Sequence, residues 1–127
     1  MRPVEPFSYV SSADLPVLID VQESTEAAGV RIAVFGDLDR VGAYPLERAV
    51  IHVLREQRPA HLELDLAGVP FLDTGGIRTL LQCRADACQL DCRLTLTNVQ
   101  AEVYRVLEIV RLLERFGLAG PAAARPR

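Results

Sequence analysis

The stretch Asp73-Thr74-Gly75-Gly76 sets a carboxylate beside a hydroxyl and follows them with two glycines, between the apolar-rich runs at Val69–Leu72 and Ile77–Leu81. Three chemistries use such a group. A hydroxyl with a neighbouring base is a nucleophile, but residues adjacent in sequence rarely aim at one atom. The two histidines, His52 and His61, fall in other elements, so no triad forms and an enzyme is not expected. A threonine opening a helix is an N-cap, its oxygen accepting from the first N–H groups for about 1 kcal/mol. An exposed threonine at that place is also a phosphorylation acceptor, because a helix N-terminus tolerates the added anion. Capping and phosphorylation are compatible, and both put Thr74 at the mouth of a helix from about Gly76.

Asp37 and Asp39 in the stretch VFGDLD form a second acidic group. They are either turn and helix-start residues or a contact surface beside Asp73, should the two loops meet at one end of a sheet. Gly75 and Gly76 serve either a turn that needs positive φ or the close approach of another backbone. Arg78, one turn into the helix, is a solvated cation or a partner for a phosphate or carboxylate. The three cysteines are spaced Cys83-x4-Cys88-x3-Cys92, without the paired C-x2-C of a zinc knuckle. No metal and no cofactor are expected, and Cys88 is expected to pack in the core. An odd cysteine count is unlike a disulfide framework and fits a reducing cytoplasm.

The rest of the composition narrows the class. The net charge of −3 argues against a nucleic-acid partner, and no apolar run reaches the ~20 residues that membrane insertion needs. No signal-peptide pattern is seen at the start. All 14 basic residues are arginine. That bias hints at a GC-rich bacterial genome, and it excludes chemistry that depends on lysine, including a P-loop, a Schiff base and a response-regulator receiver.

The positioning elements follow from periodicity. Residues 1–16 are expected to be a flexible arm that adds at most an edge strand, and the tail AGPAAARPR to be disordered. VLIDV (Val17–Val21) and VRIAVFG (Val30–Gly36) read as strands around a polar turn. Leu46, Val50, Ile51, Val53 and Leu54 recur at helical spacing, with Pro45 in the first turn and Pro59 as the stop. His61–Val69 alternates as a strand. Ile77, Leu80, Leu81, Ala85 and Cys88 mark a second helical face. Cys92–Asn98 is a further strand, and Val99, Val103, Val106, Leu107 and Val110 mark a third helix. A short helical piece holds Leu112, Leu113 and Phe116 before Gly117. The order β-β-α-β-α-β-α describes one α/β domain over residues 1–127 with an ordered core of about 17–118, a hairpin followed by right-handed crossovers.

In this order, VFGDLD (Val34–Asp39) resembles the G-E-L-D stretch of the STAS domain. LELDLAGVPFLDTGGIRTLL (Leu62–Leu81) resembles that family's strand, D-S-S-G-L or D-S-T-G-L loop, and helix. Cys92–Phe116 resembles its closing strand and helices. The resemblance implies the STAS (SpoIIAA-like) fold, a mixed four- to five-stranded sheet with three to four helices packed on it. It also implies an anti-sigma factor antagonist: a small bacterial switch that binds an anti-sigma factor, often a serine/threonine kinase, and so releases a sigma factor. Phosphorylation after the motif aspartate, here at Thr74, turns binding off, and a phosphatase restores it. The implied contact residues are Asp37, Asp39, Asp73, Thr74, Gly75, Gly76 and Arg78, on a monomer or weak homodimer. The chain departs from the pattern at Gly75, where a hydroxyl is usual, at Ile77, where leucine is usual, and after Asp39, where a hydroxyl is absent. The alternative within the family is a STAS subunit of a bacterial ABC lipid-transport complex, docked on its ATPase.

Overall fold

The computed structural model describes residues 7–10, 16–23, 29–39 and 43–118. The elements are β1 (Phe7–Val10), β2 (Pro16–Glu23), β3 (Gly29–Phe35), α1 (Ala43–Gln57), β4 (His61–Gly68), α2 (Thr74–Gln89), β5 (Arg93–Thr97) and α3 (Ala101–Ile109), closed by a 3-10 turn at Glu114–Phe116. The predicted edge strand is β1. The tail from residue 119 and most of the predicted arm lie outside the described residues.

The five strands lie side by side in chain order, β1-β2-β3-β4-β5. β1, β2 and β3 pair antiparallel, while β3, β4 and β5 pair parallel. The order has a direct consequence. Both parallel crossovers advance the same way across the sheet, and right-handed crossovers then put α1 and α2 on one face. The two helices pack on each other there. The covered face holds the core: Ile19 and Val21, Val30, Ile32 and Val34, Leu62, Leu64 and Leu66, Leu94 and Leu96, all buried beneath Leu46, Val50, Leu80, Val103, Leu107 and Phe116. Alternation of period two in each strand supplies this apolar face, as expected for a sheet covered on one side.

Helix phase differs from the sequence expectation in α2. Its buried stripe is Gly76, Leu80, Cys83 and Ala87, while Ile77 and Leu81 are half-buried and Ala85 exposed. The predicted face ran one residue late because it left out Gly76, whose small size lets the first turn sit against the sheet's end. As a result Cys88, expected in the core, is exposed, and Cys83 and Cys92 are the buried thiols. Burial pushes the Cys83 thiol strongly up, with Glu47 and Asp86 adding to the effect. Cys92 is raised by burial and then by Cys88, against a lowering by Arg93. Thiolate, not thiol, is the nucleophile, so the cysteines should differ widely in reactivity. A thiol-reactive dye is expected to label about one cysteine quickly in the native protein, at Cys88, and the others only after unfolding. Fast labelling of Cys83 in the folded state would contradict this packing.

Candidate functional site

Two loops leave the C-terminal ends of parallel neighbours β3 and β4, and backbone hydrogen bonds tie them together. Gly36 N donates to Gly68 O at 2.9 Å, Leu38 N to Phe71 O at 2.9 Å, and Asp73 N to Leu38 O at 3.2 Å. The Leu38–Leu72 bridge extends the parallel pairing past the strands, and both side chains are buried. Asp37 and Asp39 flank one buried leucine, and Phe71 and Asp73 flank the other. The two loops therefore meet at one end of the sheet, the condition under which Asp37 and Asp39 stand beside Asp73. Gly36 makes the exit from β3 possible at φ 119, a conformation open to glycine and costly for other residues.

Helix α2 begins on this platform. Asp73 is its N-cap, with extended backbone, and the carboxylate Oδ1 accepts from Gly76 N at 3.0 Å. The carbonyl of Asp73 accepts from Ile77 N at 2.9 Å. The expected threonine cap is thus corrected by one residue: the aspartate does the capping, and Thr74 is the first helical residue and exposed. A carboxylate is the stronger acceptor beside the positive end of the helix dipole, and the extended φ/ψ of Asp73 aims it at the third N–H.

The glycines separate in role. Neither Gly75 nor Gly76 has positive φ, which disposes of the turn explanation for both. Gly76 is buried, and a Cβ there would fall 2.1 Å from Leu38 O and 2.7 Å from Leu72 Cδ1. The backbone that approaches Gly76 is this chain's own. Gly75 is half-buried in the first turn of α2, and Arg78 is exposed further along it. Asp37 and Asp39 are half-buried, and Asp39 O accepts from Ala43 N at 2.9 Å as the chain turns into α1.

A second polar group escaped the sequence analysis. On the face of the sheet away from the helices, Arg31 donates through Nη1 to Glu63 at 2.8 Å and through Nη2 to Asp65. Thr97 Oγ1 donates to Glu63 at 2.7 Å. Asp65, which is buried, also accepts from Ala67 N at 3.0 Å and Asn98 Nδ2 at 3.2 Å. The signal was present as alternating charges, Arg31 in β3 and Glu63 and Asp65 in β4. It becomes readable only with the register, which sets Arg31 beside Glu63 and Ala33 beside Asp65. Both carboxylates are met by donors from neighbouring strands and the turn after β5, which marks a structural ladder rather than a reactive centre.

Among the described residues, no three or more His, Cys, Asp or Glu side chains gather as metal ligands would. No described helix is long and apolar enough to cross a membrane.

Comparison with known proteins matches this arrangement. Among solved structures, the chain is similar to an anti-sigma factor antagonist from Mycobacterium paratuberculosis, with a TM-score of 0.68 and 23% identity over 83% of this chain and 86% of that one. It is similar to the Bacillus protein SpoIIAA in its unphosphorylated form, with a TM-score of 0.65 and 18% identity over 84% and 91% of the two chains. It is also similar to the STAS domain of a SulP transporter from Vibrio cholerae, with a TM-score of 0.55 and 18% identity over 80% of each. Likeness at these identities establishes the fold. No curated protein matches the chain in sequence. A family model described as "Mlab, STAS domain" matches residues 12–118, most of the chain. With that span matched and the strand order, loop junction and capped helix in place, the chain belongs to the STAS domain family.

Proposed function

We propose that this protein is an anti-sigma factor antagonist of the bacterial cytoplasm: it binds an anti-sigma factor, itself a serine/threonine kinase, and phosphorylation of Thr74 releases it. The observation that supports this most is the division of labour at the start of α2. Asp73 holds the cap, so the exposed Thr74 hydroxyl has no structural duty there. Phosphate on Thr74 adds about −1.5 to −2 charges and three acceptor oxygens. The helix N-terminus stabilises that charge from within, so the fold need not change. The partner meets a dianion where it had met a neutral alcohol. Asp37, Asp39 and Asp73 lie on the same joined loops, and with Gly75 and Arg78 they make up the proposed contact region; Gly76, expected among the contacts, is buried against Leu38 and acts by seating α2. A phosphatase resets the switch.

Thr74→Ala is expected to change stability by less than about 0.5 kcal/mol, as exposed substitutions usually do. It should retain partner binding and lose labelling by kinase and ATP. Thr74→Glu is expected to weaken binding by about tenfold, roughly 1.4 kcal/mol. Equal labelling of wild type and Thr74→Ala would remove the acceptor assignment, and unchanged affinity of Thr74→Glu would put the loop outside the interface.

A second reading is a small subunit docked on the ATPase of an ABC lipid-transport complex. What favours it is the matching family model itself, whose description is the Mlab one rather than an antagonist's. Affinity capture from the source cells separates the two: a kinase-like anti-sigma factor supports the first, an ABC ATPase the second.

A further inference from the structure

Six large apolar side chains are exposed among the described residues, and their distribution is uneven. Leu18, Phe35, Tyr44 and Phe71 belong to the end of the sheet that carries Thr74. Ile109 and Val110 lie where α3 terminates, at the opposite end. Single exposed apolar residues are ordinary. Four from β2, β3, α1 and the β4–α2 loop brought to one end are not explained by composition.

Their placement is defined by neighbours. Leu18 stands across from Phe35 in the antiparallel register. The Phe35 ring lies over Gly68, where an added Cβ would fall 2.3 Å from Cδ2. Phe71 precedes buried Leu72 and is held by its carbonyl bond from Leu38 N. Arg48 braces Tyr44, its Nη1 donating to the hydroxyl at 3.2 Å and its guanidinium 5.8 Å from the ring centroid. Aromatic anchors on a stiff scaffold lose little conformational entropy when a partner covers them, and such residues dominate binding energy at interfaces.

We propose that this end is a protein-docking surface with Phe35 and Phe71 as its anchors, flanked by Leu18 and Tyr44, and that its occupant is a protein presenting an apolar patch edged by arginine or lysine. The inference rests on the reading of this end as the partner-binding end. Charge complementarity selects the occupant: Asp37, Asp39 and Asp73 interleave with the anchors and call for cations at the partner's edge. A second copy of this chain would bring the same carboxylates against each other. The surface also explains why a phosphate silences binding although the partner's edge is basic. Beside anchors that exclude water, a dianion loses more hydration than a rim cation returns.

The test is site-specific photo-cross-linking in the source cells. Benzoylphenylalanine replaces Phe35, Phe71, Ile109 or Val110 in the full chain, one position at a time, and the adducted peptides are identified by mass spectrometry. The cross-linked partner is then purified and its affinity measured. Adducts from positions 35 and 71 are expected on one protein, at a surface where apolar residues are edged by Arg or Lys. Phe71→Ala is expected to weaken that partner about tenfold and Ile109→Ala less than about twofold. Asp37→Asn with Asp39→Asn should weaken binding and reduce its salt dependence. Phe35→Ala is expected to weaken the same partner about tenfold, and if it unfolds, Phe35→Leu takes its place with a smaller loss of about threefold, because the ring is gone while an apolar side chain remains. Absence of adducts from 35 and 71, adducts only from 109 and 110, an adduct to a second copy, or a partner surface lined by acids each overturns the proposal. The outcome is independent of the partner's identity. An ABC ATPase caught through Phe71 leaves the surface intact and removes the sigma-pathway reading, while an anti-sigma factor caught only through Ile109 does the reverse.

Discussion

Replacing Gly76 with alanine is expected to destabilise the folded protein by about 2 kcal/mol, although alanine is the better helix former. On propensity alone the substitution should gain about 1 kcal/mol in a helix interior. Tertiary contact decides the sign. The new methyl would fall 2.1 Å from Leu38 O, and Leu38 is fully buried and cannot swing away. Either α2 lifts from the sheet's end or the β3–α1 loop retreats. The second movement breaks the bond from Asp73 N to Leu38 O and strains the Leu38–Leu72 bridge. Overpacking of this kind costs about 1–3 kcal/mol, and the hydrogen bond about 1 more, which outweighs the propensity gain. Gly75→Ala is the control, expected to stay within about 1 kcal/mol of wild type because Gly75 has helical backbone and only the propensity term acts. Denaturant unfolding of the three proteins measures this. A Gly76→Ala variant at least as stable as wild type would mean that α2 does not seat on Leu38, and the placement of Asp73 and Thr74 would fall with it.

Arg31→Met is expected to cost about 2–3 kcal/mol. Methionine keeps the unbranched apolar stem, so the loss reports on the guanidinium, its charge and its two hydrogen bonds. Arg31 links Glu63 and Asp65, whose side chains are 17% and 12% exposed, while Arg31 itself is 32% exposed. Removing the cation leaves two carboxylates two residues apart on one face of β4, with little water to screen them. Breaking a buried pair by deleting one partner costs about 3–5 kcal/mol, and the partial exposure of Arg31 places this case below that range. Partly buried charges are screened weakly, so most of the loss should persist from 0.1 to 0.5 M salt. Adding Asp65→Asn to Arg31→Met should recover part of the stability, since one of the unpaired charges goes. A loss under about 0.5 kcal/mol would instead class the ladder with ordinary surface ion pairs.

The STAS end and the ladder differ in how far they could be read before folding. DTGG and GDLD were visible as chemistry because the residues that act together there are adjacent or nearly so. Their meeting was conditional, since two loops 35 residues apart become one surface only when β3 and β4 lie parallel and next to each other. The cap was misplaced by one residue for a local reason: aspartate and threonine are both good caps, and only the extended backbone at Asp73 chooses between them. Cys88 was misplaced because helix phase depends on which residue touches the sheet first, and a glycine gives no periodic signal.

By itself, the sequence determined β2 to β5, the helices and their order, because strand alternation and helical spacing are local and repeat often enough to outvote single residues. β1, without periodicity, was legible only as an optional edge strand on a flexible arm. It also determined that a hydroxyl and a carboxylate stand together where a helix starts. Register and strand neighbours belonged to the tertiary structure. They place Arg31 between Glu63 and Asp65, seat Gly76 on Leu38, and bring Phe35 and Phe71 to the end that carries Thr74. These are contacts between residues far apart in the chain, and their energies exist only once the sheet has brought the partners within a few ångströms.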